Sequence, residues 1–357
     1  MKGFVAVLVM AASYAALAAG MVEPTVTTRN FRCWHDVRYG SREDLPDEGS
    51  GFSGRIGNWG VRDCPWRMAT HRTAQTMDIY APPGRVATNA VVVLFLHGGA
   101  WSHCFDKDAV SYRLVDALMA KGAVMCSAGY ILQSDNTLNG TIETPAREGA
   151  TFAGMLQDVD RAASRLRTIL PLMGVENPRF VIAGESAGAH LALLYAYDQD
   201  APEKLGLGLR HDFRVSKVVS IVGPTDLSTI DSASMLIMDR MLASDRPEES
   251  LRARFAILFN RLCGLPDDTP VDALRPYAKK WSPVALVSPK SVPTVLAYAQ
   301  MLPLVETDGI VPLSQKKELE NLLKLNGVRF RSRVFMGLTH ADVSFKGADW
   351  IAARAVE

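Results

Sequence analysis

The stretch Ala90-Val91-Val92-Val93-Leu94-Phe95-Leu96 is apolar at every position, the pattern of a strand covered on both faces in a parallel sheet. Further strands are expected from Ala123 to Tyr130, Phe180 to Ala183, Val215 to Val222, Pro293 to Ala299 and Val328 to Phe335. Two more are expected upstream, at Val37-Arg38-Tyr39-Gly40 and Thr76-Met77-Asp78-Ile79-Tyr80, the second ended by Ala81-Pro82-Pro83-Gly84. Between these runs the period changes. Met155, Val159, Ala162, Leu166 and Leu170 recur at helical spacing and predict a helix over about 147–171. Further helices are expected over about 107–121, from Ala189 to Tyr195, over about 313–326 and at the C-terminus. Such alternation predicts an α/β fold with a doubly wound, mostly parallel sheet.

Two segments interrupt the alternation. Residues 228–285 are Met- and Leu-rich and helical in pattern, broken by Asp245-Arg246-Pro247 and Pro266-Asp267-Asp268. They fall between two sheet strands and read as a helical lid over the carboxyl edge. Residues 41–75 show little periodicity and read as a surface insertion, with Trp59 and Trp66 expected near a site mouth. The N-terminus carries Lys2, an apolar stretch from Phe4 to Leu17 and the small-x-small pattern Ala16-Leu17-Ala18. That is the form of a cleaved export signal, too short to span a bilayer comfortably. The expected organisation is a signal peptide at 1–18, an extension and insertion at 19–75, and one sheet domain at 76–357. The expected location is secreted or periplasmic, with no stable membrane insertion once the signal is gone.

Charge and cysteine content narrow the partners. The 357-residue chain has a formal charge of +1, which becomes 0 on loss of Lys2. No basic block is present, so nucleic acid and anionic membrane surfaces are not expected partners. The five cysteines fit no metal spacing, and no metal or cofactor is implied. Cys33 and Cys64 both lie in the N-terminal extension, where hydrophobic content is thin, and either pair in an oxidising compartment or remain two thiols. Cys104, Cys126 and Cys263 read as small buried hydrophobes.

The chemistry gathers at Gly184-Glu185-Ser186-Ala187-Gly188, between a short buried strand and a helix. A G-x-S-x-G pattern in that context presents a serine on a strained turn, and its two glycines allow the close approach this needs. Ser186 is the expected nucleophile, and the backbone N–H of Ala187 an oxyanion donor. A serine needs a base, and the base needs an acid to fix its tautomer. Among seven histidines, His340 follows the last strand and is the expected base. His190 reads as a core residue, His103 as a pocket candidate, and His35, His71 and His211 as solvated. Asp308, in Thr307-Asp308-Gly309-Ile310-Val311-Pro312, is the expected acid, with Asp226 and Glu306 as rivals; Asp342 is too close in sequence to His340. His97-Gly98-Gly99-Ala100-Trp101 lets the backbone approach an oxyanion, adding the N–H groups of Gly99 and Ala100. His97, Trp101 and Glu185 are candidate pocket residues.

Together the H-G-G-A-W, G-E-S-A-G, D-G-x-V-P and T-H motifs resemble those of the α/β-hydrolase carboxylesterases, in the hormone-sensitive-lipase-like and feruloyl-esterase-like branch. Met77-Asp78-Ile79-Tyr80-Ala81-Pro82 and Ser127-Ala128-Gly129-Tyr130 echo the same group. The likeness covers about 76–345. It implies an α/β-hydrolase fold and a Ser186–His340–Asp308 triad with Gly99, Ala100 and Ala187 as oxyanion donors. Two departures stand out: Ala100 replaces a third glycine, and Gln300 to Glu306 lengthens the link to the acid. With the export signal, the resemblance implies small-molecule or carbohydrate esters of short acyl groups as substrates. A serine peptidase or amidase on the same fold is one alternative. A non-catalytic binding protein retaining the fold is another.

Overall fold

A strand can be apolar throughout only if both its faces are covered, and the run at 91–96 is. Val92, Leu94 and Leu96 enter one buried cluster, while Val93 and Phe95 enter a second on the opposite face of the sheet. The computed structural model describes residues 24, 26–42, 75–101, 107, 110–133, 146–229, 248–303, 306–308 and 310–357. The expected signal segment, Trp59, Trp66, Cys64, Cys104, His71 and His103 lie outside them.

In chain order the first half contains β1 (Val26–Thr27), β2 (Arg32–Arg38), β3 (Thr76–Ala81), β4 (Val91–Leu96), α1 (Tyr112–Met119), β5 (Val124–Ala128), α2 (Phe152–Ile169) and β6 (Arg179–Glu185). Then come α3 (Ala187–Asp198), α4 (Pro202–Leu205), β7 (Lys217–Ile221), α5 (Glu248–Cys263), α6 (Val271–Lys280) and α7 (Pro283–Leu286). The chain closes with β8 (Thr294–Gln300), α8 (Leu313–Leu325), β9 (Phe330–Met336), α9 (Val343–Lys346) and α10 (Ala348–Val356). The described strands form one sheet in the order β1-β2-β3-β5-β4-β6-β7-β8-β9. From β5 to β9 all neighbours are parallel, whereas β1, β2 and β3 join antiparallel. This is the α/β-hydrolase arrangement the motifs implied.

Several boundaries move for local reasons. The helix expected from about 147 begins at Phe152, because the Thr151 side chain accepts the Gly154 N–H at 3.1 Å and caps it. The strand expected at 37–40 is β2 and runs over 32–38. Its pairing with β3 slips between Trp34 and Val37, where Asp36 takes φ 55°. A bulge there breaks the two-residue period on which a strand is recognised. β1 is only two residues long, below the length at which periodicity carries a signal.

The segment expected as a lid is helical from 248 onward, in α5, α6 and α7; residues 230–247 lie outside the described set. Leu258, Phe259 and Leu262 of α5, with Leu274, Ala278 and Trp281, belong to the main apolar cluster. This half of the insertion is therefore packed as core. No helix among the described residues is long and apolar enough to cross a membrane.

Two glycines let the elbow close. A Cβ on Gly188 would lie 2.1 Å from the Leu96 carbonyl oxygen and 2.3 Å from that of His97, while one on Gly184 would lie 2.3 Å from the Gly188 carbonyl oxygen. All three obstacles are backbone. Gly188→Ala is expected to destabilise the fold by about 3 kcal/mol or more, since relief requires β4 and α3 to separate. Urea unfolding measures this directly, and a loss below about 1 kcal/mol would contradict the packing described.

Candidate active site

Ser186 sits between β6 and α3 with φ 53° and ψ −120°, a left-handed conformation that a side chain adopts only under constraint. The constraint is visible. The Ser186 N–H donates to the Ile221 carbonyl at 2.8 Å, and its carbonyl receives the His190 N–H at 3.1 Å. α3 is buried along its entire length, which fixes the turn from behind. Ala187 opens that helix, so its N–H belongs to the first turn, where backbone donors have no intrahelical acceptor.

The oxyanion loop lies against the elbow. A Cβ on Gly98 would be 3.3 Å from the Ser186 Cβ and 3.3 Å from the Glu185 carbonyl oxygen. Gly99, Ala100 and Trp101 follow with φ 110°, 50° and 59°, three successive residues at positive φ, two of them not glycine. His97 anchors the loop. Its Nδ1–H donates to the Gly98 carbonyl at 2.7 Å, its ring stacks on Tyr130 at 4.4 Å, and the Tyr130 hydroxyl donates to the His97 carbonyl at 2.8 Å. Trp101 is buried against Phe152, His190 and Phe259. Its ring thus ties the loop to α2, α3 and α5.

His340, the expected base, lies in the turn after β9. The Thr339 N–H and hydroxyl both donate to Asp342 Oδ2, at 3.0 and 2.7 Å, and this capping box holds the residues around His340. Asp342 therefore shapes the turn and pairs with Lys346, without serving His340. His340 is buried, and its Nδ1–H donates to Asp308 Oδ2 at 2.8 Å. Asp308 is fully buried, and its Oδ1 accepts the N–H groups of Ile310 and Val311 at 2.8 and 2.7 Å. The longer link before Asp308 does not displace it. Burial opposes charge on His340, but the Asp308 carboxylate, its hydrogen bond and the Glu185 carboxylate outweigh that and raise the imidazole above its ordinary range.

His340 Nε2 is buried and has no hydrogen-bond partner, Ser186 included. The His340–Asp308 bond is made and no bond joins His340 to Ser186, a separation common in unliganded sites of this type. Still, the two loops meet. Ser344, four residues past His340, donates to Glu185 Oε1 at 3.1 Å, one residue before Ser186.

The rival acids are occupied elsewhere. Asp226 accepts from Ser228 Oγ at 2.6 Å, Lys279 Nζ at 3.1 Å and Ser282 Oγ at 3.2 Å, joining the end of β7 to α6 and the turn after it. Glu306 is exposed and paired with Lys317. His190 is the core residue expected, with Nε2–H donating to the Trp281 carbonyl at 2.7 Å. His35 and His211 are not solvated: each is half-buried and bonds an aspartate, Asp78 at 2.8 Å and Asp198 at 2.9 Å. Cys126 is buried and Cys263 half-buried.

Cys33, His35 and Asp78 bring ligand-type atoms within 4.8 Å of one another on the antiparallel side of the sheet. There the buried Lys107 ammonium lies 3.2 Å from Asp78 and 3.0 Å from Asp36, and Asp78 also accepts the Asp36 N–H at 2.9 Å. An ion-paired polar network accounts for these contacts. Burial works against the Asp78 carboxylate, yet His35 and Lys107 hold it at about 2. Motif spacing gave no sign of this cluster, because its members sit on β2, β3 and a distant loop.

His97 and His190 both hold a neutral ring, each lowered to about 4 chiefly by burial. Unfolded histidines take up a proton near pH 6.5, so between about pH 6.5 and 4 the unfolded chain binds protons that the folded chain refuses. Stability is expected to fall across that window by about 3 kcal/mol for each ring. Unfolding free energies at pH 7 and 4.5 check this, with His190→Gln shrinking the difference.

Three comparisons place the chain among known proteins. The BD-FAE family profile matches residues 77–323, a span containing Ser186 and Asp308. No curated protein sequence matches the chain. Esterase B from Lactobacillus rhamnosis superposes with a TM-score of 0.58 at 17% identity, over 99% of this chain and 94% of its own. EstE1, a thermostable carboxylesterase from a metagenomic library, gives 0.57 at 19% identity, over 97% and 94%. A truncated carbohydrate esterase from gut microbiota gives 0.56 at 17% identity, over 94% and 99%. At these identities the solved structures establish the fold, and the profile establishes the family. The chain belongs to the BD-FAE family, on the α/β-hydrolase fold it shares with these carboxylesterases.

Proposed function

We propose that this protein is an exported serine carboxylesterase that hydrolyses short acyl esters, with carbohydrate esters as the favoured class. Ser186 attacks the ester carbonyl while His340 Nε2 takes its proton, and the tetrahedral oxyanion forms among the N–H groups of Gly99, Ala100 and Ala187. The imidazolium then protonates the leaving alcohol. Water, deprotonated by the same nitrogen, attacks the acyl-serine and releases the acid.

One observation carries this reading: a buried carboxylate at 2.8 Å fixes the base tautomer, in a turn tied to a serine held at φ 53°. Export is supported by the Lys2, apolar-run and Ala16-Leu17-Ala18 pattern. The carbohydrate leaning is supported by that pattern, by the family, and by a carbohydrate esterase among the structural neighbours.

The test compares kcat/KM on p-nitrophenyl acetate, on longer acyl esters and on a matched p-nitroanilide. Acetylated oligosaccharides form a further arm. Ester turnover falling with acyl length and exceeding anilide turnover supports the proposal. Dominant anilide cleavage would assign the site to an amidase, and no turnover of any substrate would leave a binding protein.

A further inference from the structure

The triad leaves one acid at its centre unused. Glu185 ends β6, where its backbone pairs with Ile221 of β7, and its side chain is directed at α9, which begins three residues after His340. The Ser344 hydroxyl donates to its Oε1 at 3.1 Å, the hydrogen bond that joins the base turn to the elbow. Nδ1 of His340 already belongs to Asp308, so Glu185 cannot be the orienting acid. It acts on the imidazole through the field of its charge.

We infer that Glu185 is a positioning residue, a second carboxylate that Ser344 ties to the His340 turn so that the imidazolium formed during turnover is stabilised by two negative groups. This inference rests on Ser186, His340 and Asp308 acting as proposed above. The neighbouring charges leave the role to Glu185. Asp342 and Lys346, on the same turn and helix, pair with each other at 2.8 Å. Arg113 of α1 lies over the Phe345 ring at 5.5 Å, and His97 of the oxyanion loop is neutral. Of the groups acting on His340, Asp308 and Glu185 are the carboxylates.

The sign of the effect follows. Glu185 in its ionised form makes the protonated ring easier to form, which helps the transition state and also lets the resting enzyme take up a proton at higher pH. Burial raises Glu185 itself to about 7, with His340 and the Ser344 hydroxyl pulling it back down. Each group therefore favours the charged form of the other.

The experiment is the pH profile of kcat/KM on p-nitrophenyl acetate for the wild type, Glu185→Gln and Ser344→Ala. Glutamine keeps the shape and still accepts from Ser344. The expected result for Glu185→Gln is a plateau lowered about tenfold, with the acid midpoint moved to lower pH by about one unit. Ser344→Ala releases the carboxylate and is expected to move the midpoint the same way by less; it decides the matter if the glutamine variant does not fold. A lowered plateau with an unmoved or raised midpoint makes Glu185 merely structural and overturns the inference, as does an unchanged profile. Either result leaves Ser186→Ala inactive and the triad standing, whereas an active Ser186→Ala overturns the triad itself.

Discussion

Ser186→Ala is expected to lower kcat by about a million-fold while leaving the protein folded. The loss is large because the hydroxyl is the only atom that forms and breaks a covalent bond with the acyl group in the proposed reaction. Loop geometry survives, since the turn at φ 53° is imposed by the Ile221 hydrogen bond and by the buried α3, neither of which uses the side chain. Residual turnover of about a thousandfold over water is expected from the backbone donors of Gly99, Ala100 and Ala187. Steady-state rates paired with urea unfolding separate the two effects. A stability change within about 0.5 kcal/mol is expected for a substitution that removes one partly exposed oxygen.

Asp308→Asn should cost about ten-thousandfold in kcat for a different reason. The carboxylate receives three hydrogen bonds, from Ile310, Val311 and His340 Nδ1. An amide can keep the two backbone donors on its oxygen, but it then turns an NH2 toward the ring. Nδ1 must become the acceptor, the proton moves to Nε2, and the nitrogen facing the elbow can no longer take a proton from Ser186. The control is Asp226→Asn. There the charge-assisted bonds to Lys279 and the two serines weaken, so about 1–3 kcal/mol of stability is lost while kcat stays within a few-fold. A severe kinetic loss at Asp226 with little at Asp308 would reverse the assignment of the acid.

Three of the strands that carry the site were legible because they are buried on both faces, whereas β9, which leads to His340, alternates between half-buried and exposed positions. β4, β6 and β8 read as apolar runs, and the loops at their carboxyl ends hold the H-G-G, G-x-S-x-G and aspartate motifs. α2 was legible from its single apolar face, although its start depended on a threonine cap that periodicity does not report. The edge was harder. β2 is a strand in which a bulge near Asp36 shifts the alternation, and its buried Cys33 and Trp34 are neighbours in sequence, which breaks a period of two. Residues 26–38, read as part of an extension, add two strands to the sheet.

Within the site, the motifs pointed to Ser186, Asp308 and His340, and the fold brings the last two into hydrogen-bond contact. What they left out are the supporting groups. Ser344 and Gln315, which accepts the Thr225 and Asp226 N–H groups at 2.7 and 3.2 Å, belong to stretches with no motif. Their roles depend on which loops the sheet brings together. The same holds for the Asp78–Lys107 pair, buried by three separate segments. Glu185 was visible as a candidate pocket residue; its tie to Ser344 spans 159 positions and has no local signature.

The account depends on a serine that only the folded chain makes nucleophilic, and covalent labelling reads that most directly. A fluorophosphonate should add once per molecule, with peptide mapping placing the adduct on Ser186. Labelling should slow as His340 is protonated at lower pH and be lost in His340→Ala. An adduct on another residue, labelling of Ser186 indifferent to His340→Ala, or no adduct on the folded protein would contradict it.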